Sequence, residues 1–189
     1  MDPQRLRPFV TAIKEDSEDP FAWLQLGDAA KIIGDWKIAT WTYSAALLLL
    51  PDDEVALRKF TESRQKLIES SHCDSGFMYE IFKLPRHTSL ILIVGIMNTE
   101  VEAFEMAFKS QIKSGFKNFI IDFKGSSNIT GLGPSLLKKF HKEVIEVNGF
   151  IGLVSLNQDI KEVKVLKKIE IPDFSDVQEV FLTHLSASR

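Results

Sequence analysis

The side chains of this sequence that could do chemistry lie mostly in one hydroxyl-rich stretch of its second half. Hydroxyl groups occur at Ser126, Ser127 and Thr130, and a histidine follows at His141. A serine or threonine becomes a nucleophile only when a base lies within hydrogen-bonding distance. If a helix begins near Gly131, His141 lies about 15 Å further along it, which is too far for proton transfer. We therefore predict no catalytic residue here and a protein that is not an enzyme.

Three residue types that can bind metal ions are adjacent at His72, Cys73 and Asp74. Neighbouring side chains in an extended segment do not converge easily on one ion, and a structural zinc site needs four protein ligands. The chain has only four histidines and one cysteine. We predict no metal site and no cofactor, and the single cysteine excludes an internal disulfide.

Gly131 and Gly133 precede an amphipathic segment, and a helix N-terminus with free amides attracts anions. The sequence contains neither of the glycine-rich phosphate-binding patterns, G-x-x-x-x-G-K-[ST] and G-x-G-x-x-G. A tight turn and close helix packing explain the two glycines better, although a nucleotide or anion site stays open as an alternative interpretation. Asp122 ends the preceding strand, and we expect it to brace the loop through a hydrogen bond rather than to act as an acid or base.

The composition excludes several classes of protein. The chain has 189 residues, 44% of them hydrophobic and 26% charged, with a net charge of -3. These values are typical of a globular chain, and they lack the positive field of a dedicated nucleic-acid binder. The longest apolar runs, 45–50 and 90–97, are far shorter than the ~20 residues of a membrane-spanning helix. No signal-peptide core is present at the start. We therefore expect a soluble cytoplasmic protein with no membrane span and no nucleic-acid partner.

The elements that must position these residues fall into two parts. Residues 1–70 are predicted to form consecutive helices, because their apolar residues recur at three- and four-residue spacing. Residues 71–76 are small and polar, as in a linker. Residues 77–189 alternate strands with helices, which predicts a largely parallel sheet covered by helices. Within this part, we expect a strand over 118–123, then a loop, then a helix from residue 131. Further helices are expected over 158–168 and 176–185.

In the helical part, small and aromatic residues follow a specific spacing within residues 20–53. The matched positions are Trp23, Leu26, Gly27, Gly34, Ala39, Tyr43, Ala46 and Pro51. The segment resembles one tetratricopeptide (TPR) repeat, a pair of antiparallel helices of 34 residues. Ala30 is the one departure, because the family usually has an aromatic residue at that position. A generic helical hairpin is the alternative. The resemblance implies a short groove lined by Leu24, Asp28 and Lys31, which would bind a second protein partner or another copy of the chain.

Residues 77–185 resemble a STAS domain, the fold of bacterial anti-sigma-factor antagonists. The resemblance rests on the order of elements, on Asp122-x-x-Gly125 at the end of a buried strand, and on the Asn148-Gly149 turn into the next strand. It implies an α/β domain with a mixed, largely parallel sheet and a partner-binding loop. The loop residues are Ser126, Ser127, Asn128, Ile129, Thr130, Gly131, Leu132 and Gly133.

Family antagonists carry an Asp-Ser pair just before the Gly-Leu-Gly helix start, separated from it by one residue, and a kinase that doubles as an anti-sigma factor phosphorylates the serine. Counting back from Gly131, Asn128 stands at the aspartate position and Ile129 at the serine position. The usual phosphorylation switch is therefore not expected, and Thr130 is the only adjacent hydroxyl that could accept a phosphate.

The two resemblances together imply a bacterial signal-transduction protein that acts by protein–protein interaction. Its expected role is that of a non-enzymatic regulatory adaptor, similar to an anti-sigma-factor antagonist, with an anti-sigma factor or serine kinase as partner. Two alternatives are a module that senses a nucleotide or anion through the same loop, and a purely structural scaffold.

Overall fold

A computed structural model of the chain describes residues 6–71, 76–98, 101–163, 166–168 and 170–185. The chain divides into two compact units, which we describe separately. One unit comprises Met1–Ser70 together with Gln178–Arg189, and the other comprises Ser71–Val177. In the described part of the chain, no helix combines the length and the apolar character that crossing a bilayer requires.

Within the described residues 6–71, the first unit forms four helices with recognisable start and stop signals. They are α1 (Arg7–Glu15), α2 (Pro20–Ile32), α3 (Trp36–Leu49) and α4 (Glu54–Ser70). The carboxylate of Asp35 accepts the N–H of Ile38 at 2.9 Å, and that of Asp53 accepts the N–H of Ala56 at 2.7 Å. These hydrogen bonds cap α3 and α4. Gly34 follows α2 with a φ of 74°, a conformation that favours glycine at a helix end.

Helices α2 and α3 pack closely, and Gly27 is the point of contact. A Cβ atom at Gly27 would lie 2.4 Å from Cε1 of Tyr43 and 2.8 Å from Oγ1 of Thr42. The ring of Trp23 meets that of Trp41 edge to face at 5.5 Å, and its Nε1 donates to the carbonyl oxygen of Ser17 at 2.9 Å. The residues of the predicted repeat thus form the interior of a helical hairpin.

Residues 178–185 belong to the first unit, although they were predicted to be part of the α/β domain over residues 77–189. A short helix, α8 (Val177–Val180), continues as a π-helical turn over Phe181–Leu185. Gln178 Nε2 donates a hydrogen bond to the carbonyl oxygen of Pro51 at 2.8 Å. Phe181 is fully buried. Local periodicity correctly predicts that this segment is helical. It does not show which other part of the chain the segment packs against.

The second unit is built on a five-stranded sheet. Its strands are β1 (Phe77–Leu84), β2 (Thr88–Met97), β3 (Asn118–Ile129), β4 (Phe150–Val154) and β5 (Asp173–Phe174). They lie in the order in which they follow in the chain, with β1 antiparallel to β2 and every other pair parallel. The helices of the crossovers are α5 (Glu102–Lys113), α6 (Gly133–Glu146) and α7 (Gln158–Lys161). This is the mixed, largely parallel sheet that the sequence predicts.

Aromatic residues hold α5 and α6 on one face of the sheet. The rings of Phe108 and Phe140 stack at 3.7 Å, and Phe104 meets Phe140 edge to face at 5.3 Å. Phe108 also lies 4.5 Å from the ring of Phe119 on β3. These fully buried rings form the centre of the core, and α6 is thereby fixed relative to the end of β3.

Two elements differ from their predicted bounds. The strand expected over 118–123 continues to Ile129, so residues 124–129 are strand rather than loop, and residues 125, 126, 128 and 129 pair with β2. The helix expected from Gln158 to Lys168 ends at Lys161, and a 3₁₀ turn follows over Leu166–Lys168. The extension of β3 matters for function because it includes four of the predicted loop residues.

One carboxylate links α5 to α6 on the outside of this unit. Oε1 of Glu105 accepts hydrogen bonds from Lys109 Nζ and Lys139 Nζ, each at 2.5 Å. Hydrogen bonds from these two ammonium groups lower the pKa of Glu105 below its ordinary value of 4.5. A carboxyl group with a lowered pKa in the folded state adds stability above its unfolded pKa, and that stability is lost as the pH falls through the folded pKa.

The variant Glu105→Gln is expected to lower the free energy of unfolding at pH 7 by at most about 1 kcal/mol, since the pairs are open to solvent. The difference in free energy of unfolding between the variant and the wild type should be constant near neutral pH and should shrink as the pH falls below 4.5. Urea unfolding of both proteins at pH 7 and at about pH 3 measures this difference. A difference that stayed the same at both pH values would contradict the role of the Glu105 charge.

Candidate functional site

The candidate site lies where β2 and β3 end beside the start of α6. Parallel strands bring their carboxyl ends to one edge of a sheet, which is where α/β proteins usually place binding residues. At this edge Gly95 pairs with Ser126, Ile96 with Asn128, and Met97 with Ile129. The register shifts between Gly95 and Ile96, so the last residues of the two strands are offset by a bulge.

The turn between β3 and α6 is held by backbone hydrogen bonds. The N–H of Thr130 donates to the carbonyl oxygen of Met97 at 2.8 Å, and the N–H of Gly133 donates to that of Thr130 at 3.0 Å. Gly131 has a φ of 56°. A Cβ atom on Gly133 would lie 2.7 Å from Cγ1 of Ile129 and 3.0 Å from the carbonyl oxygen of Met97. Both glycines therefore serve a tight turn and close packing, as the sequence analysis argued.

Several predicted loop residues point inward or are bound to neighbouring backbone. Ile129 is only 1% exposed and belongs to the hydrophobic core. Ser126 is buried, and its hydroxyl lies 2.9 Å from the carbonyl oxygen of Gly95. Oδ1 of Asn128 accepts the N–H of Ile129 at 2.7 Å. Buried Asp122 accepts the N–H of Lys124 at 2.9 Å and so braces the backbone beyond the strand, as expected.

The exposed part of the site is smaller and partly apolar. Ser127, Thr130, Gly131 and Leu132 are exposed, and the Leu132 side chain reaches 55%. Ile96, at the end of the neighbouring strand, is 41% exposed. Sequence reasoning missed Ile96, because nothing in an apolar run shows which residue lies beyond the covered part of the sheet. Ile96 points to the face of the sheet opposite α6, because its neighbour Met97 packs in the core and consecutive strand side chains alternate between the two faces. We call Thr130, Gly131 and Leu132 the strand-end surface.

Asn157 is a second residue that sequence reasoning missed. Its Nδ2 donates to the carbonyl oxygens of Ser126 and Ser127, both at 3.1 Å, and its Oδ1 accepts the N–H of Ile160 at 2.9 Å. The same side chain thus caps α7 and holds the end of β3. An asparagine before a predicted helix signals a cap, but its contact with β3 depends on the tertiary fold.

The start of α6 offers few amides to an anion. The N–H of Gly133 is bonded to Thr130, Pro134 has no N–H, and the N–H of Leu136 is bonded to the carbonyl oxygen of Leu132. Anion binding at a helix start depends on free amides, so this geometry disfavours the nucleotide- or anion-sensing interpretation. Across the residues that the structure describes, no group of three or more His, Cys, Asp or Glu side chains could hold a metal ion. His72, Cys73 and Asp74 lie outside those residues.

Two of the three residues predicted to line a groove in the helical unit, Asp28 and Lys31, are joined to α4. Both carboxylate oxygens of Asp28 lie 2.6 Å from Lys59 Nζ, and Lys31 Nζ lies 2.8 Å from Glu62. Asp28 also accepts a hydrogen bond from the Tyr43 hydroxyl at 2.7 Å. Burial and this carboxylate raise the pKa of Tyr43 above its ordinary value, so the hydroxyl remains a donor.

The apolar residues near these pairs differ in exposure. Leu24 is half-buried, whereas Phe21 and Ile32 on the same helix are 63% and 83% exposed. Because Asp28 and Lys31 already have partners of opposite charge, the α2 surface combines neutralised charges with exposed apolar side chains.

No protein-family model and no curated protein sequence matches this chain. Solved structures do match its second part. The anti-sigma factor antagonist SpoIIAA in its unphosphorylated form has a TM-score of 0.50 and 17% identity, covering 58% of this chain and 99% of that one. An anti-sigma factor antagonist from Mycobacterium paratuberculosis has a TM-score of 0.52 and 13% identity, covering 61% and 99%. The α/β unit therefore has the fold of the anti-sigma-factor antagonists, the STAS fold.

Proposed function

We propose that this protein is a non-enzymatic regulatory adaptor that binds a protein partner through the strand-end surface, as an anti-sigma-factor antagonist does. The observation that carries the proposal is the 55% exposure of the Leu132 side chain in the turn from β3 into α6. A side chain that is apolar, exposed and held on rigid backbone loses little entropy on binding and excludes water from the contact. The shared fold supports an anti-sigma factor or serine kinase as partner.

We further propose that binding does not depend on the usual phosphorylation of a serine at the second position before Gly131. Ile129 occupies that position and is buried, so no acceptor group lies there. Thr130 is exposed and is the remaining candidate acceptor beside the turn. A phosphate on it would add a charge of about -1.5 to -2 next to Leu132 and would weaken an apolar contact.

The helical unit is proposed to be a TPR-like interaction module that recruits a second protein. Its support is the close α2–α3 hairpin and the exposed Phe21 and Ile32 on α2. Phe21 and Ile32 lie near the two ends of α2 but on the same side of it, because eleven residues correspond to about three helical turns. Because Asp28 and Lys31 are paired with α4, we expect them to stabilise the module more than they contact the partner.

Leu132→Arg is expected to abolish capture of a serine kinase of the anti-sigma type from a lysate of the source organism. A buried arginine without a carboxylate partner is costly, so the dissociation constant should rise at least about tenfold. The measurement is an affinity capture with wild type and variant, followed by titration of the purified kinase.

Ile145→Arg is the matched control, because Ile145 is also an exposed apolar residue of α6 but lies near its opposite end. It should capture the kinase as well as the wild type does. Equal capture by all three proteins would rule out the strand-end surface as the contact. Failure of the wild type to retain such a kinase would overturn the proposed partner class.

A further inference from the structure

The outer edge of β1 carries backbone groups that point away from the sheet. The N–H of Ile96 donates to the carbonyl oxygen of Gly76 at 2.8 Å, and the strands keep one register from that pair to the hairpin turn. In an antiparallel ladder only alternate residues bond to a given neighbour. Phe77, Tyr79 and Ile81 therefore direct their N–H and C=O groups outward. Within the described residues, β1 is the terminal strand on this side of the sheet.

Helix α5 lies over this edge. The ring of Phe104 is 4.9 Å from that of Tyr79 and 5.8 Å from that of Phe77. The side of α5 that bears Glu105 and Lys109 faces α6. Glu105 makes an ion pair with Lys139, and Lys109 makes one with Glu143.

The side of α5 that faces away from α6 follows from helical periodicity. It bears Ala103, Ala107 and Ser110 at four- and three-residue spacing, with Met106 beside them. The Met106 side chain is 68% exposed. Above the outer edge of β1, α5 therefore presents a strip of small residues and one large exposed apolar side chain.

We infer that a second copy of this chain binds here, with β1 pairing antiparallel to the partner's β1 across a two-fold axis. An antiparallel edge is self-complementary under such an axis, so the outward groups of both strands find partners. The β1 sequence Phe-Met-Tyr-Glu-Ile-Phe-Lys-Leu has strong strand propensity and no net charge. The two five-stranded sheets then join into one.

The placement of α5 and its charges fit the same arrangement. Phe104 places α5 beside β1, so the two copies of α5 lie on the same face of the joined sheet, on either side of the axis. The two-fold axis makes these helices antiparallel, which brings exposed Glu102 at the start of α5 toward exposed Lys113 at the end of the partner helix. The strand edge and the charges both suit a second copy.

Sedimentation velocity of the full chain, from about 10 μM to about 1 mM, tests the inference. We expect a species of twice the 21.4 kDa chain mass at the higher concentrations. The double variant Ala103→Arg with Ser110→Arg changes two exposed positions of α5 and should raise the dimer dissociation constant at least tenfold. Ile145→Arg on α6, with the same added charge as either single change, should dimerise like the wild type.

Amide hydrogen exchange identifies the edge directly. The N–H groups of Phe77, Tyr79 and Ile81 should exchange more slowly in the dimer than in the double variant, while the rest of the core exchanges equally in both. Three results would each overturn the inference: a wild type that stays at the mass of one chain, a double variant that dimerises as tightly, or a dimer that Phe21→Arg on α2 breaks and the α5 variant does not. None of these results depends on partner capture through Leu132.

Discussion

The substitution Ile129→Ser is expected to destabilise the α/β unit by about 3–5 kcal/mol rather than to restore a phosphorylation switch. The side chain of Ile129 lies in the same core cluster as Met97, Leu136 and Phe140. Serine at this position would leave a cavity and bury a hydroxyl group. A kinase would find no acceptor there unless the end of β3 came apart.

The measurement must follow the α/β unit alone. All three tryptophans, Trp23, Trp36 and Trp41, are in the helical unit, so their fluorescence does not report unfolding of the sheet. Amide hydrogen exchange of the core residues of β3 gives the free energy of opening for this unit. The same samples can be incubated with the captured kinase and ATP to measure phosphate incorporation.

Two control variants test whether the loss of stability comes from replacing a large buried apolar side chain with a small polar one. Ile129→Val keeps an apolar side chain and should cost only about 0.5–1.5 kcal/mol. Thr130→Ser changes an exposed hydroxyl residue and should leave stability unchanged. A stable Ile129→Ser protein that is phosphorylated on the new serine would show that this position is accessible, and would refute the proposal that the switch is absent.

The order and type of the elements could be predicted from the sequence because each has a local signal. Buried apolar runs predict β2, β3 and β4, and capping aspartates predict the starts of α3 and α4. The end of β3 could not be predicted in this way. Gly125, Ser126 and Asn128 have low strand propensity, and they form strand only because β2 pairs with them through a bulge.

The candidate site shows the same division between local and tertiary information. The glycine turn and the position of Leu132 follow from the sequence pattern. The burial of Ile129 and Ser126, and the hydrogen bonds from Asn157, follow from pairing and packing between distant segments. A residue count can therefore place Ile129 at the position of an acceptor, but only the fold explains why a serine there would be inaccessible.

The variant Gly27→Ala is expected to destabilise the helical unit by about 2–3 kcal/mol. At an open position in the interior of a helix, alanine would instead stabilise by up to about 1 kcal/mol. The sign differs here because the new Cβ would lie 2.4 Å from the ring of Tyr43. That ring cannot move aside easily, since it is fully buried and its hydroxyl is bonded to Asp28. Urea unfolding followed by tryptophan fluorescence measures this unit specifically.

A double-mutant cycle decides whether the clash with Tyr43 is the cause. In a Tyr43→Leu background the ring is absent, so Gly27→Ala should lower the free energy of unfolding much less than it does in the wild type. Gly34→Ala is the matched glycine control: its surroundings are open within 4 Å, but its φ of 74° should still cost about 1 kcal/mol. If Gly27→Ala stabilised the protein, or if its effect were the same with and without Tyr43, α2 and α3 would not cross as closely as the structure has them. The spacing of a TPR-like repeat would then have no structural basis in this chain, because the close crossing at Gly27 is the contact that the pattern Trp23-x2-Leu26-Gly27 requires.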